Sequence, residues 1–320
     1  MDGPPPNLVA FGPDANCTLE ICPVEWSVYR YVPSLPANIV FAALFALAGL
    51  VHVYLGIRWR QWTFMGFMLL GCIVEIVGYA GRIMMHSNPF DFVGFMTQIA
   101  LLTFAPVFYS AAIYITLSKT IIHYSPSISR LKPPTLYIWI FIPADVVCLV
   151  LQAAGGALSS SSTGNSQTGI DLALAGLSLQ VIVIVAFILL FADHIIRHQL
   201  LARTGAVPAI PPRTRVFIAG LSAATLLILA RCSFRCYELQ EGYSGEAVAD
   251  EALFIGLEGV PVVLAAFALA VGHPGLVFGR GGAPAVIDGG EAQGAAKGLP
   301  MTEGNNMGSS SASSVSAARR

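Results

Sequence analysis

Long apolar stretches separated by short polar ones set the rhythm of this chain. Runs close to the roughly 20 residues needed to cross about 30 Å of hydrocarbon occur at 37–57, 61–81, 95–117, 135–157, 170–192, 215–236 and 251–272. Each is continuously apolar over about twice the length of a barrel strand, and none shows the two-residue alternation of a barrel wall. In lipid, a single segment satisfies its own backbone only as a helix. The pattern therefore predicts an all-α membrane protein, a bundle of seven transmembrane helices.

Polar positions inside these runs carry the second layer of information. A charged side chain near the bilayer centre costs roughly 2.5–3.5 kcal/mol even on the mildest insertion scale, so each one needs a reason. In the second run Glu75, Gly78, Tyr79 and Arg82 are spaced i, i+3, i+4, i+7 and share one helical face. Asp145 and Gln152 in the fourth run, and Glu251 and Glu258 in the seventh, are likewise seven apart; Arg231, Arg235 and Glu238 form a stripe in the sixth. Gln98 and Gln180 add polar positions to the third and fifth.

Stripes of this kind cannot face lipid. They predict a polar, hydrated substrate-binding or transport cavity in which three arginines are balanced by Glu75, Asp145, Glu238, Glu251 and Glu258. The plainer reading is an internal salt-bridge network that fixes helix register and binds nothing. The number of converging charges favours the cavity, since small residues such as Gly49, Gly155, Gly156 and Gly176 hold helices together at lower cost.

Charge along the loops gives a direction. Of the 17 Lys and Arg residues, all but Arg30, Arg82, Arg231 and Arg235 fall in the loops after the first, third and fifth runs or in the C-terminal tail. By the positive-inside rule this places the C-terminus in the cytoplasm, and an odd helix count then places the N-terminus outside. The costly charges crowd into the outer half of the bundle on that reading. The chain divides into an exoplasmic tail (1–36), a transmembrane domain (37–275) and a Gly-, Ala- and Ser-rich cytoplasmic tail (276–320) expected to be disordered.

With 55% hydrophobic and 11% charged residues, mean hydropathy +0.70 and net charge −1, the composition suits a bilayer. It offers no basic patch for nucleic acid. The proline-rich start contains no apolar core of a cleavable signal. Cys17 and Cys22 lie in the polar N-terminal tail beside the sequon Asn16-Cys17-Thr18; an exterior location would suit both a disulfide and a glycan. Two free thiols and an unused sequon are equally compatible with the spacing. The other four cysteines read as small packing residues.

Pro106 and Pro261 should kink the third and seventh helices. His52, His194 and His198 read as interfacial, with no carboxylate or thiol at metal-ligand spacing. No G-x-x-x-x-G-K-[ST] loop, H-E-x-x-H or G-x-S-x-G occurs, which argues against nucleotide-driven pumping and hydrolysis. No lysine falls within an apolar run, excluding a retinal Schiff base, and the motifs of rhodopsin-like receptors are missing. The expectation is a non-enzyme without metal or cofactor.

Several elements in order complete the picture: Tyr31-x-Pro33 leading to Asn38, His52, Glu75-x-x-Gly78-Tyr79-x-x-Arg82, Gln98 with Ala105-Pro106, and Tyr114. Asp145 with Gln152-x-x-Gly155-Gly156 follows, then Gly176-Leu177-x-x-Gln180, Arg231-x-x-x-Arg235-x-x-Glu238, Gly242-x-x-Gly245, Glu251, Glu258 and His273-Pro274-Gly275. From about Tyr31 to Gly275 the chain resembles the fungal lipid-translocating exporter family, also called RTA-like proteins. That resemblance implies a fungal plasma-membrane protein, or alternatively a vacuolar one, associated with lipid export and resistance to membrane-active toxic compounds. The expected activity is ATP-independent translocation of an amphipathic lipid, such as a sphingoid long-chain base, or of a hydrophobic toxic compound. A seven-helix sensor of a lipid or stress ligand is the alternative.

Overall fold

The computed structural model describes residues 7–124, 130–161, 167–205, 207, 210–242 and 245–279. Within them lie seven helices long and apolar enough to cross a membrane: α1 (Leu35–Trp59), α2 (Trp62–Ser87), α3 (Phe92–Tyr124), α4 (Leu136–Ser161), α5 (Gln167–Arg203), α6 (Pro212–Gln240) and α7 (Glu251–Phe278). Most of the tail expected to be disordered, 280–320, lies outside the described residues.

Local chemistry sets the ends of these helices. Pro36 sits in the first turn of α1, where its missing N–H is one that no helix would use. Arg60, with φ 56° and ψ 35°, closes the same helix in a left-handed turn whose N–H reaches the Gly56 and Ile57 carbonyls. Asp250 caps α7, its carboxylate accepting from the N–H groups of Ala252 (2.8 Å) and Leu253 (3.3 Å).

Helices α2 and α3 pack closely, as do α4 and α5, while the α3/α4 boundary is sparser. A Cβ on Gly81 would lie 2.9 Å from the Gly94 carbonyl, and one on Gly155 would collide with the backbone at Gly169 and Ala173. Small residues thus let backbones meet within each pair. The core is aromatic towards the end where α1 finishes, with Tyr114, Phe141, Phe187 and Phe191 in mutual ring contact. Large apolar side chains such as Leu50, Trp139, Val150, Ile182 and Leu189 point outward, the inverse of a water-soluble protein and the arrangement lipid requires.

Five features depart from the sequence reading. Helix α5 runs eleven residues beyond its apolar stretch to Arg203, because Asp193 bonds Arg130 and Arg197 there, each at 2.9 Å. His194 and His198 are consequently buried within α5, and His52 is fully buried with Nε2 3.0 Å from the Ala266 carbonyl; none is interfacial. Lys119 lies within α3, on an exposed turn near its end.

The other two departures concern backbone path. Gly169, which precedes the fifth apolar run, is helical, and α4 and α5 converge on it. In α7 the α-helical pattern gives way to a π turn over Phe254–Gly259, immediately before Pro261. Pro261 offers no N–H to the carbonyl four residues back, and the wider turn accommodates the mismatch. Helix α3 stays α-helical through Pro106, and α4 likewise carries Pro143.

The N-terminal segment is no loose tail. Cys17 and Cys22 are joined by a disulfide with Cα atoms 5.6 Å apart, and pack with Phe90, Leu8, Ala10 and Trp26. Phe11, Tyr29 and Tyr31 pack with Met85, Phe95 and Val248 over the end of the bundle.

Candidate functional site

The polar residues singled out from the sequence gather at the end of the bundle covered by the N-terminal segment, in successive tiers. Outermost is Arg82 on α2, fully buried. It donates from Nη2 to the Tyr31 hydroxyl (2.5 Å) and from Nη1 to Gln98 Oε1 on α3 (3.4 Å), and its guanidinium lies 3.7 Å from the centroid of Phe254. Gln98 Oε1 also accepts from the Tyr29 hydroxyl at 3.1 Å. Glu251 Oε1 stands 3.9 Å from Arg82 and accepts from the Ser34 N–H at 2.6 Å. A strap from Tyr29 to Ser34 is therefore fastened across the bundle, and His86 adds a contact to the Pro33 carbonyl at 2.8 Å.

Burial raises the phenols of Tyr29 and Tyr31 above their ordinary value of 10.0, against the lowering influence of Arg82. Both remain neutral hydroxyls through the physiological range.

One tier deeper, Arg231 on α6 donates from Nη2 to Glu258 Oε1 (2.5 Å) and to the Leu102 carbonyl (2.7 Å). Arg231 Nε and Nη1 and Glu258 Oε2 make no hydrogen bond in the protein. Glu75, also buried, shares the electrostatic surroundings of Arg231 and Glu258. Tyr79 stacks on Phe41 (5.2 Å) and Phe45 (5.8 Å). Glu251 and Glu258, seven residues apart, serve different arginines, and the π turn between them breaks the shared stripe expected of a regular helix.

On the α4 side, Gln152 donates from Nε2 to Gln180 Oε1 on α5 at 3.0 Å. Two turns along the same face lies Asp145, 1% exposed, with neither carboxylate oxygen in a geometric hydrogen bond; the Tyr114 hydroxyl and the Cys148 and Cys232 thiols are its polar neighbours. Every other acid of the set except Glu75 is paired: Glu238 meets Arg235 at 2.5 Å, Glu258 meets Arg231, and Glu251 meets Arg82. Among the described residues no cation lies within salt-bridge distance of Asp145.

A cavity of about 340 Å³ opens between α3 and α4, with α5 and α6 behind it. Its walls are largely apolar, including Met96, Ile99, Phe104, Ala153 and Leu177, and polar contributions come from Thr103, Gln152, Ser160 and Arg235. A small adjoining pocket under Tyr29 shares Ile99, Arg235 and Leu239 and adds Glu238. Of the twelve residues expected to line a cavity, Gln152 and Arg235 border the large one and Glu238 the small one. The remainder form the packed polar tiers beside them. Sequence reasoning missed the apolar wall, because Met96, Ile99 and Ala153 look like any lipid-facing helix residue. It also missed the strap, whose only signal was the Tyr31-x-Pro33 element.

Elsewhere, Asn16 is exposed, its Oδ1 accepting from the Val9 N–H (2.8 Å) and its Nδ2 donating to the Asn7 carbonyl (3.1 Å). Among the described residues no group of three His, Cys, Asp or Glu side chains converges as a metal site would require.

Fold and site together define a multi-pass helical membrane protein with a buried, ion-paired polar end and a lateral apolar cavity. The chain belongs to the RTA1-like family, whose model, described as RTA1 like protein, matches residues 68–281. It is 30% identical to the sphingoid long-chain base transporter RSB1 of Saccharomyces cerevisiae, over 77% of this chain and 73% of that protein. It is 29% identical to Protein RTM1 of the same species, over 78% and 92% of the two chains. Protoporphyrin uptake protein 1, also from that yeast, is 32% identical over 63% of this chain and 66% of its own. No solved structure matches the chain.

Proposed function

We propose that this protein moves an amphipathic lipid of the sphingoid long-chain base type across a fungal membrane without ATP. The carrying observation is the juxtaposition of an apolar cavity wide enough for a hydrocarbon chain with a buried acid that has no cationic partner. The chain of the lipid lies against Met96, Ile99 and Leu177. Its ammonium meets Asp145, which stands two helical turns, roughly 10 Å, beyond the cavity residue Gln152. Two relatives with names denoting transport of a long-chain base and uptake of a porphyrin support a hydrophobic cargo with a polar group. The positive-inside distribution supports an outer N-terminus, with the strap and Asn16 on the outer face; the plasma membrane is the proposed site of action.

The test is leaflet-to-leaflet movement of labelled sphingoid base in liposomes containing the purified protein and no nucleotide. Asp145→Asn is expected to bring the rate down to that of protein-free liposomes. Gly156→Phe should do the same by filling the cavity, since a Cβ at Gly156 meets nothing within 4 Å. Wild-type rates in both variants would sink the proposal. Saturable binding by the wild type without movement would replace it with a sensor.

A further inference from the structure

The opposite end of the bundle carries a second cavity, about 570 Å³, between the end of α5 and the start of α6. Gln199, Arg203 and Arg215 border it, all exposed, while Ile195, Ile210 and Ile218 form its apolar side. The same three isoleucines continue into a narrow pocket floored by Phe191 and Phe217, with Thr120, His194, His198 and Thr214 also in its wall. The composite is therefore cationic at the mouth and a mixture of aliphatic, aromatic and polar groups at depth. Outward-facing Ile196, Leu200 and Val216 on either side place it against lipid.

Charge here is unbalanced, unlike in the buried polar tiers at the other end of the bundle. Arg82, Arg231 and Arg235 each stand beside a carboxylate, and Arg130 and Arg197 share Asp193. Between Asp193 and Glu238 the sequence contains no acidic residue at all. Among the described residues no carboxylate lies within salt-bridge distance of Arg203 or Arg215. The Arg215 Nε donates to the Ile210 carbonyl at 3.1 Å, which holds its guanidinium at the cavity edge; among the described residues its Nη groups make no hydrogen bond.

We infer that this cleft binds an anionic phospholipid. The phosphate sits between the Arg203 and Arg215 guanidinium groups, where charge-assisted and bidentate hydrogen bonds are available. An acyl chain follows the isoleucines towards Phe191 and Phe217. Basic pockets between membrane helices recognise acidic head groups by this combination of fixed cations and apolar walls. The site lies at the end of the molecule away from the strap and uses none of the residues assigned to cargo, so the two can fail separately.

The experiment is lipid retention by the full-length protein in mixed micelles offered equimolar phosphatidylserine, phosphatidylinositol and phosphatidylcholine, read by native mass spectrometry. The anionic lipids should be retained in preference to phosphatidylcholine. Arg203→Gln with Arg215→Gln should weaken that retention roughly thirtyfold, taking about fivefold per arginine near a membrane surface. The double Arg→Lys variant should keep most of it, which separates loss of charge from loss of fold. Equal retention of phosphatidylcholine, undiminished retention by the double Gln variant, or equally effective competition by inositol phosphate would each overturn the inference, the last by showing a site for a free anion.

Discussion

The two ends of the bundle are equally buried in apolar surroundings yet are held together by different means. Under the strap, α2, α3, α6 and α7 meet through Arg82, Gln98, Arg231, Glu258 and their partners. At the other end α3, α4 and α5 meet through aromatic rings, and α1 meets α7 through His52, whose polar contact is one bond to a backbone carbonyl. Packing of the second kind is available to any helical bundle. Ion pairs taken out of water gain little net stability, because desolvation offsets most of the attraction. Their concentration at one end, next to the cavity, marks that end as the one where specificity resides.

The sharpest way to break this comparison is to remove one charge of a buried pair. Arg231→Met leaves Glu258 unpaired and should cost about 3–5 kcal/mol, measured by thermal unfolding of the solubilised protein, while Arg231→Met with Glu258→Leu should recover most of the loss. A single variant no worse than one at the aromatic end would make the two ends energetically alike. Next in size is a steric contrast between neighbours. Gly155→Ala forces a methyl into the backbone of α5 and should cost about 1–3 kcal/mol, whereas Gly156→Ala, with open space around it, should be close to neutral in the same assay. Smallest is the polar contact at the far end: His52→Leu removes one neutral hydrogen bond and should cost about 1 kcal/mol.

Much of the architecture was legible because lipid imposes a strong constraint on sequence. Twenty apolar residues admit few readings, and all seven runs became helices. The polar stripes were legible for the same reason, since Arg82 or Glu75 can only face inward. What could not be read was partnership. Whether Glu251 answers Arg82 or Arg231 depends on a π turn that a regular helical wheel does not contain. The reach of α5 to Arg203 depended on Arg130, distant in sequence, neutralising Asp193. The strap was hidden because its hold on the bundle comes from Tyr29, Tyr31 and the Ser34 N–H, groups unremarkable in a polar tail. The cavity wall was hidden because apolar residues facing a void and facing lipid look alike.

The glycine contacts between α2 and α3, and between α4 and α5, have a mechanical meaning. Backbones in direct contact cannot slide past one another without collision, so each pair behaves as a single stiff beam. The sparser joint between α3 and α4 is where the two beams adjoin, and the 340 Å³ cavity sits along that joint. A change in the angle between the two pairs would therefore alter its width, at the wall least braced by backbone contact.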